Sequence, residues 1–400
     1  MVAERSLARL KVVLITGFDP WAVGNGSSMR ARRWCDALGG AAEFEAFVIP
    51  AVATEAVSPY RRVPLPDEAE VIAKARLLMA PRWRDWHLRT SPLPMVPAAV
   101  PAWMGRELLA HLPWKPDVVV AFKMAVAAAA ADLALECAAP LVVDLDDDEA
   151  TLQAQMGGGE AADLERLLAG VAQLATVLTV ASPTDAAAIT ERVATPVMAT
   201  PVMVVPNVVA IPPTTPQPGP GRAMYVANFD YGPNRASARW LVQRVLPHVE
   251  DIEELAVIGP FSENLSLDPP ARAYGKVPSL EAHYAAATVV ACPVVAGSGT
   301  SIKVIEAMAY GRAVVTNSIG ARGLDLQSGV HAVVTDHPRE FAAALSLLAA
   351  VPMVAATLGA RGRALVAERY SAEVGSAAMV AAVEAAVAAP SAGTATFGPR

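Results

Sequence analysis

Short apolar runs alternate with longer amphipathic stretches along most of the chain. In the first half, Val12–Phe18, Phe44–Ile49, Asp117–Phe122, Leu141–Leu145, Val177–Ser182 and Val202–Val205 read as strands. Most are apolar at consecutive rather than alternate positions, the mark of a strand buried on both faces of a parallel sheet. Stretches such as Ser28–Leu38 and Met124–Cys137 between them predict helices. The second half repeats the pattern with Ala223–Phe229, Leu255–Ile258, Val289–Pro293, Ala313–Thr316 and Ala332–Thr335. Strands alternating with helices predict the α/β class, as two Rossmann-like doubly wound domains facing across a cleft.

The stretch Ile211–Arg222 is too dense in Pro and Gly for either helix or ladder and marks the border between the halves. The expected division is an N-terminal domain over residues 1–208, a C-terminal domain over 209–371, a helix over 372–389 crossing back to the first domain, and a disordered tail over 390–400. Four hundred residues exceed what one core organises, which agrees with two domains. With 32 Lys and Arg against 39 Asp and Glu, the net charge of −7 argues against a nucleic-acid partner, which needs a basic face. The three cysteines, Cys35, Cys137 and Cys292, have no short spacing, so neither a disulfide framework nor a zinc site is expected. The longest apolar run, Ala125–Val143, is interrupted by Asp132, Glu136 and Pro140, so no transmembrane segment is expected and the protein is expected to be cytoplasmic.

The richest chemistry lies in Gly297-Ser-Gly-Thr-Ser-Ile-Lys303-Val-Ile-Glu306-Ala-Met-Ala-Tyr-Gly311. It follows one predicted strand and precedes another, and it reads as a turn running into a helix whose N-terminus favours an anionic group. Thr300, Lys303 and Glu306 share one side of that helix. The alternative is a helix capped by Ser298 and Thr300, with Lys303 and Glu306 forming a solvated pair.

The segment Pro293–Leu324 resembles the donor-binding motif of the retaining glycosyltransferases of family 4, which have the GT-B fold. Tyr225-Val-Ala-Asn-Phe-Asp-Tyr-Gly-Pro-Asn234 resembles the opening of that family's C-terminal domain. Val205-Pro-Asn207 resembles its interdomain turn, and Arg361–Tyr370 resembles its near-terminal helix. The resemblance implies an acceptor-binding N-terminal domain and a nucleotide-sugar donor-binding C-terminal one. Lys303 and the amides of Ser298, Gly299, Thr300 and Ser301 would then face the donor phosphates, with Glu306 on the ribose hydroxyls or a neighbouring phosphate-side group. Asn228, Asn234 and Arg235 match the donor pocket, and Val277 matches the loop packed against the nucleobase. Two departures stand out: Ser298 replaces a second glutamate, and Ala227 replaces a usual glycine.

Other stretches carry further candidates. Gly24-Asn-Gly-Ser-Ser-Met-Arg30 opens a helix after the first strand, but Met29 in place of a third glycine weakens a dinucleotide-binding reading. In the family this loop approaches the donor diphosphate, which makes Gly24 and Gly26 donor-binding residues and Arg30 an acceptor-binding candidate, with a surface helix residue as the alternative. Asp144-Leu-Asp-Asp-Asp148-Glu149 could hold a metal, but is read as loop and helix capping near the acceptor, with Asp146 the acceptor-binding candidate. The resemblance places Lys123 at the acceptor or the leaving phosphate, beside Lys303 and Glu306 as a catalytic residue; a surface lysine is the alternative. Trp83, Trp86, Trp103 and Trp114 mark the most aromatic region; Trp103 is the acceptor-wall candidate, with simple core filling as the alternative.

The function implied is transfer of a hexosyl or pentosyl group from a nucleotide sugar to an acceptor hydroxyl or amine. Retention of anomeric configuration, no metal or other cofactor, and a role in natural-product or cell-envelope glycoside biosynthesis are expected. The partners are then a nucleotide-sugar donor and a small-molecule or glycan acceptor. A pseudo-glycosyltransferase, a nucleotide-sugar epimerase or a binding protein on the same fold remains open, as do donor base, donor sugar, acceptor and oligomeric state.

Overall fold

The computed structural model describes residues 9–22, 26–49, 59–64, 100, 102–155, 161–194, 200–213 and 220–390. The chain divides into two compact units, one of residues 1–205 with 376–400 and one of Pro206–Gly375. The expected tail beyond residue 390, Gly24, Trp83 and Trp86 lie outside the described residues.

The first unit is built on seven parallel strands: β1 (Lys11–Thr16), β2 (Glu43–Val48), β3 (Arg61–Arg62), β4 (Val118–Phe122), β5 (Leu141–Asp146), β6 (Val177–Val180) and β7 (Val202–Val204). Their order is β3-β2-β1-β4-β5-β6-β7, with every pair parallel. Successive side chains of β1 feed opposite cores: Val13 and Ile15 join one with the Ala127–Cys137 helix, Val12 and Leu14 the other with the Gly26–Ala41 helix. The second core also takes Met379, Ala382, Val383 and Ala386 from the Ala372–Ala388 helix. Their spacing forms one apolar stripe.

The second unit is a six-stranded sheet of β8 (Arg222–Val226), β9 (Glu254–Ile258), β10 (Ala271–Gly275), β11 (Val289–Cys292), β12 (Ala313–Thr316) and β13 (Val333–Val334). The order is β10-β9-β8-β11-β12-β13, again all parallel. Ala313 and Val315 of β12 enter one core and Val314 the other, so this sheet too is covered on both faces. Strand order reverses at β1/β4 and at β8/β11. The carboxyl ends of those strands are the switch points where ligands bind in this class.

The sequence pattern does not predict β3 or β10. β3 is two exposed arginines at an edge, and β10 (Ala-Arg-Ala-Tyr-Gly) has one buried residue at its start and partly or fully exposed ones after it. Expected strands also run on too far at some ends. Ser182 caps the Pro183–Val193 helix by accepting from the Asp185 amide at 3.0 Å, and Thr16 closes a turn with Phe18.

Candidate functional site

The turn after β11 is pinned before it reaches its helix, Ile302–Ala309. Thr316 Oγ1 donates to the Cys292 carbonyl at 2.7 Å. The Asn317 side chain accepts from the Val294 amide at 3.1 Å and donates to the Val294 carbonyl at 2.7 Å. Val295 N donates to Ser237 Oγ at 3.2 Å. Beyond these ties the chain turns through Gly299 at φ +66°, a left-handed conformation natural to glycine. Thr300 is buried, and its hydroxyl accepts from Asn207 Nδ2 at 3.1 Å. Ser301 precedes the first turn in an extended conformation, and its buried Oγ has no hydrogen-bond partner among the described residues. The first amides of a helix have no intrahelical acceptors, so they offer donors beside that hydroxyl.

Lys303 and Glu306, one turn apart, do not pair with each other. Lys303 Nζ donates to Asn234 Oδ1 at 2.9 Å and lies 5.5 Å from the centre of the Tyr225 ring. Asn234 is fixed in turn, its Nδ2 donating to the Asn228 carbonyl at 2.8 Å and its own carbonyl accepting from Tyr225 Oη at 3.3 Å. Burial pulls the Lys303 ammonium below the ordinary lysine value, and the nearby Cys292 only partly offsets this. Glu306 Oε2 accepts from Tyr284 Oη at 3.0 Å. Burial raises the Glu306 carboxyl, and the Tyr284 bond partly restores its acidity. Among the described residues, a cation hydrogen-bonded to a neutral amide, a hydroxyl without a partner and a helix N-terminus thus lie on consecutive residues, which together can stabilise an anionic group.

The remaining donor-site expectations divide. Asn228 Oδ1 accepts from the Asp230 amide at 3.0 Å, and Arg235 Nη1 donates to the carbonyls of Phe229 and Asp230, so Arg235 braces the turn after β8. Val277 packs at the margin of the second unit's core, and Ser298 is half-buried in the turn. Gly26 begins the Gly26–Ala41 helix of the first unit.

In the first unit, β4 and β5 end in a charged network. Arg30 is 3% exposed and grips Asp144 with two bonds, Nε to Oδ2 at 2.7 Å and Nη2 to Oδ1 at 2.9 Å. Trp34 Nε1 and Thr179 Oγ1 donate to the same carboxylate at 2.5 and 2.8 Å. Burial alone would raise the Asp144 carboxyl, but Arg30 and these donors hold it below the usual range. Arg30 is therefore neither a surface residue nor a free charge; its guanidinium is committed to a carboxylate in the interior. Lys123 is likewise buried, with Nζ at 2.6 Å from Asp147, 3.2 Å from Asp146 and 3.3 Å from Glu149. Both Lys123 and Asp146 adopt positive φ, +75° and +65°. The capping expected of this acidic stretch falls on Asp148, which accepts from the Thr151 amide at 3.1 Å. Among the described residues no group of three or more His, Cys, Asp or Glu is arranged to hold a metal ion. Trp103 is 2% exposed and packs in the same core as Val13 and Ile15, which is the core-filling alternative rather than an open wall.

Sequence reasoning missed Tyr284, the partner of Glu306, and, though it singled out the acidic stretch, did not pair Lys123 with Asp146, Asp147 and Glu149. A phenol within the short Glu281–Ala286 helix was the visible signal for the first, since buried tyrosines seek a partner for their hydroxyl.

Residues 220–351 match the family model of the glycosyl transferases group 1. No curated protein sequence gives a significant match. Among solved structures, the chain is similar to the sucrose-phosphate synthase of Thermosynechococcus elongatus, with a TM-score of 0.70, 18% identity, and 93% of this chain and 98% of that one covered. Anabaena HepE in complex with UDP and glucose gives a TM-score of 0.69 and 14% identity over 94% of this chain and 100% of the other. A UDP-forming α,α-trehalose-phosphate synthase from Burkholderia xenovorans gives 0.64 and 14% over 93% and 98%. The two parallel-sheet α/β units have the Rossmann-like construction of the GT-B fold. Among the described residues no single helix is long and apolar enough to cross a membrane.

Proposed function

We propose that the protein is a glycosyltransferase that moves a sugar from a nucleotide sugar to an acceptor hydroxyl or amine. The observation that carries the reading is Lys303, whose half-buried ammonium, among the described residues, has a neutral amide for its only hydrogen-bond acceptor and stands in the first turn of the helix that follows the Gly299 turn. The match of residues 220–351 to the group 1 family model supports it, since that segment contains the whole constellation. Anabaena HepE is described in complex with UDP and the Burkholderia xenovorans synthase as UDP-forming, so a uridine diphosphate sugar is the first donor to test.

Cleaving the bond between the anomeric carbon and the phosphate oxygen leaves positive charge on the sugar ring and negative charge on the departing diphosphate. Groups aimed at that second charge lower the barrier most. Lys303 supplies a fixed cation, Ser301 Oγ a donor, and the amides around Gly299–Ile302 a positive helix end. With a cation supplied by the chain, the reaction is proposed to need no metal. The family resemblance supports retention of configuration by attack on the face the diphosphate leaves, with the diphosphate taking the acceptor's proton. Glu306 is assigned to donor hydroxyls rather than to attack. The Pro206–Gly375 unit is assigned to the donor and the first unit to the acceptor, in a cytoplasmic enzyme of glycoside biosynthesis.

The test is thermal stabilisation across nucleoside diphosphates and nucleotide sugars, with and without EDTA. A ligand at a hundred times its dissociation constant adds about 2.7 kcal/mol to native stability. A shift with one nucleotide that survives EDTA is expected. No shift with any of them would overturn the donor-site reading, and a shift abolished by EDTA would overturn metal independence.

A further inference from the structure

Tyr284 and Glu306 form one hydrogen-bonded unit behind the phosphate turn. Tyr284 is fully buried, and its ring is stacked on Tyr310 at 4.1 Å between centroids and 12° between planes. A ring clamped in this way cannot swing, so its hydroxyl has a fixed direction, and the one hydrogen bond it donates goes to Glu306 Oε2 at 3.0 Å. Among the described residues no hydrogen bond reaches the second carboxylate oxygen, Oε1. The helix positions Glu306 beside Lys303 without pairing them, because Lys303 Nζ is held by Asn234. The carboxylate is therefore anchored at one oxygen and open at the other.

We propose that Tyr284 is a positioning residue of the donor site, fixing the Glu306 carboxylate so that Oε1 is presented to a vicinal diol of the ligand, the ribose of a nucleoside diphosphate. The inference rests on the donor-site reading above. Its chemistry is simple: an ionised carboxylate accepts from hydroxyls but cannot donate, and a charge-assisted bond of this kind needs a fixed geometry. Two effects follow from the phenol. It selects one carboxylate orientation out of several, and its donated proton favours the ionised acceptor over the neutral acid that burial would otherwise promote. Burial holds the phenol itself well above its ordinary value, so it stays a donor throughout the neutral range.

Tyr284→Phe removes the hydroxyl and keeps the ring that stacks on Tyr310. Calorimetric titration of wild type and Y284F with UDP, 3′-deoxy-UDP and pyrophosphate separates the possibilities. We expect Y284F to bind UDP about tenfold more weakly, the scale of losing a hydrogen bond to a charged group. The two proteins should differ much less toward 3′-deoxy-UDP and not at all toward pyrophosphate, and the donor KM should rise with little change in kcat. Equal UDP binding by both proteins would overturn the positioning role while leaving the donor site standing. A uniform loss toward all three ligands would also overturn it, as general damage to the pocket. A wild type that binds no nucleoside diphosphate would remove the donor-site reading and this inference with it.

Discussion

The ammonium of Lys303 is 2.9 Å from the side-chain oxygen of Asn234, a residue 69 positions earlier, and this neutral amide takes the place of a carboxylate. An amide can orient a cation without cancelling its charge, so the field of Lys303 remains available to a ligand. Asn234→Asp tests this directly. The carboxylate would keep one oxygen on Lys303 and neutralise it, while giving up the bond that Asn234 Nδ2 donates to the Asn228 carbonyl at 2.8 Å. Affinity for nucleoside diphosphates is expected to fall at least tenfold, about 1.4 kcal/mol. Lys303→Met is expected to lose about a hundredfold, ~2.7 kcal/mol. The ligand-free protein should melt no lower, because a desolvated cation without a counter-charge contributes little to folding. Calorimetric titration and thermal melting of both variants check the pair of expectations.

Gly299 provides the second prediction. Its φ of +66° costs an alanine about 1–2 kcal/mol. Residues 294 and 295 are tied to Asn317 and Ser237, so the turn has no slack on its β11 side with which to relax. Gly299→Ala is expected to lower stability by roughly that amount in urea unfolding. Nucleotide binding should suffer more than stability, because the strain relaxes by displacing the Thr300–Ile302 amides.

The central strands and the turn after β11 were legible because each is written in adjacent positions. A run such as Val118–Phe122 is buried at every residue, and the spacing of Lys303 and Glu306 follows from one helical turn. The partners of those residues were not legible, because they come from elsewhere in the chain: Tyr284 lies 22 positions before Glu306, and Asp144 lies 114 after Arg30. Arg30 read as a charge available to an acceptor because nothing local announces its carboxylate. Trp103 read equally well as a wall or as core, and only packing against the other side chains of its cluster decides between them.

The Arg30–Asp144 pair makes the third prediction. Each bond of Asp144 comes from a buried donor, so removing the carboxylate takes away the group that both Arg30 bonds reach and leaves the Asp146 carboxylate, 3.5 Å from Nε, as a more distant counter-charge in the interior. Asp144→Ala is expected to cost about 3–5 kcal/mol, the range for breaking one side of a buried pair. Chemical denaturation monitored by tryptophan fluorescence reads the loss. Replacing Arg30 and Asp144 together with apolar residues should restore much of it, since the remaining partner no longer has to be buried alone.

Glu149 and Lys123 give a pH dependence of opposite sign to that of Asp144. Burial raises the Glu149 carboxyl from 4.5 to about 7, with Lys123 opposing the rise and Asp147 and Asp146 adding to it. Between pH 4.5 and about 7 the native state therefore holds a proton on Glu149 that the unfolded chain has released. Stability must fall as pH rises through that window, because the unfolded state binds fewer protons. Asp144, held below its usual range, acts the other way and at lower pH: its contribution is full above the unfolded carboxylate value and is lost as pH falls through the folded one. Glu149→Gln removes the first effect and keeps the side-chain volume. Urea midpoints measured from pH 4.5 to 8 should decline less steeply for Glu149→Gln than for wild type, with the two curves nearest at the acidic end. Parallel curves would mean that Lys123 keeps Glu149 ionised in the folded protein, so that Glu149 holds no extra proton across this window.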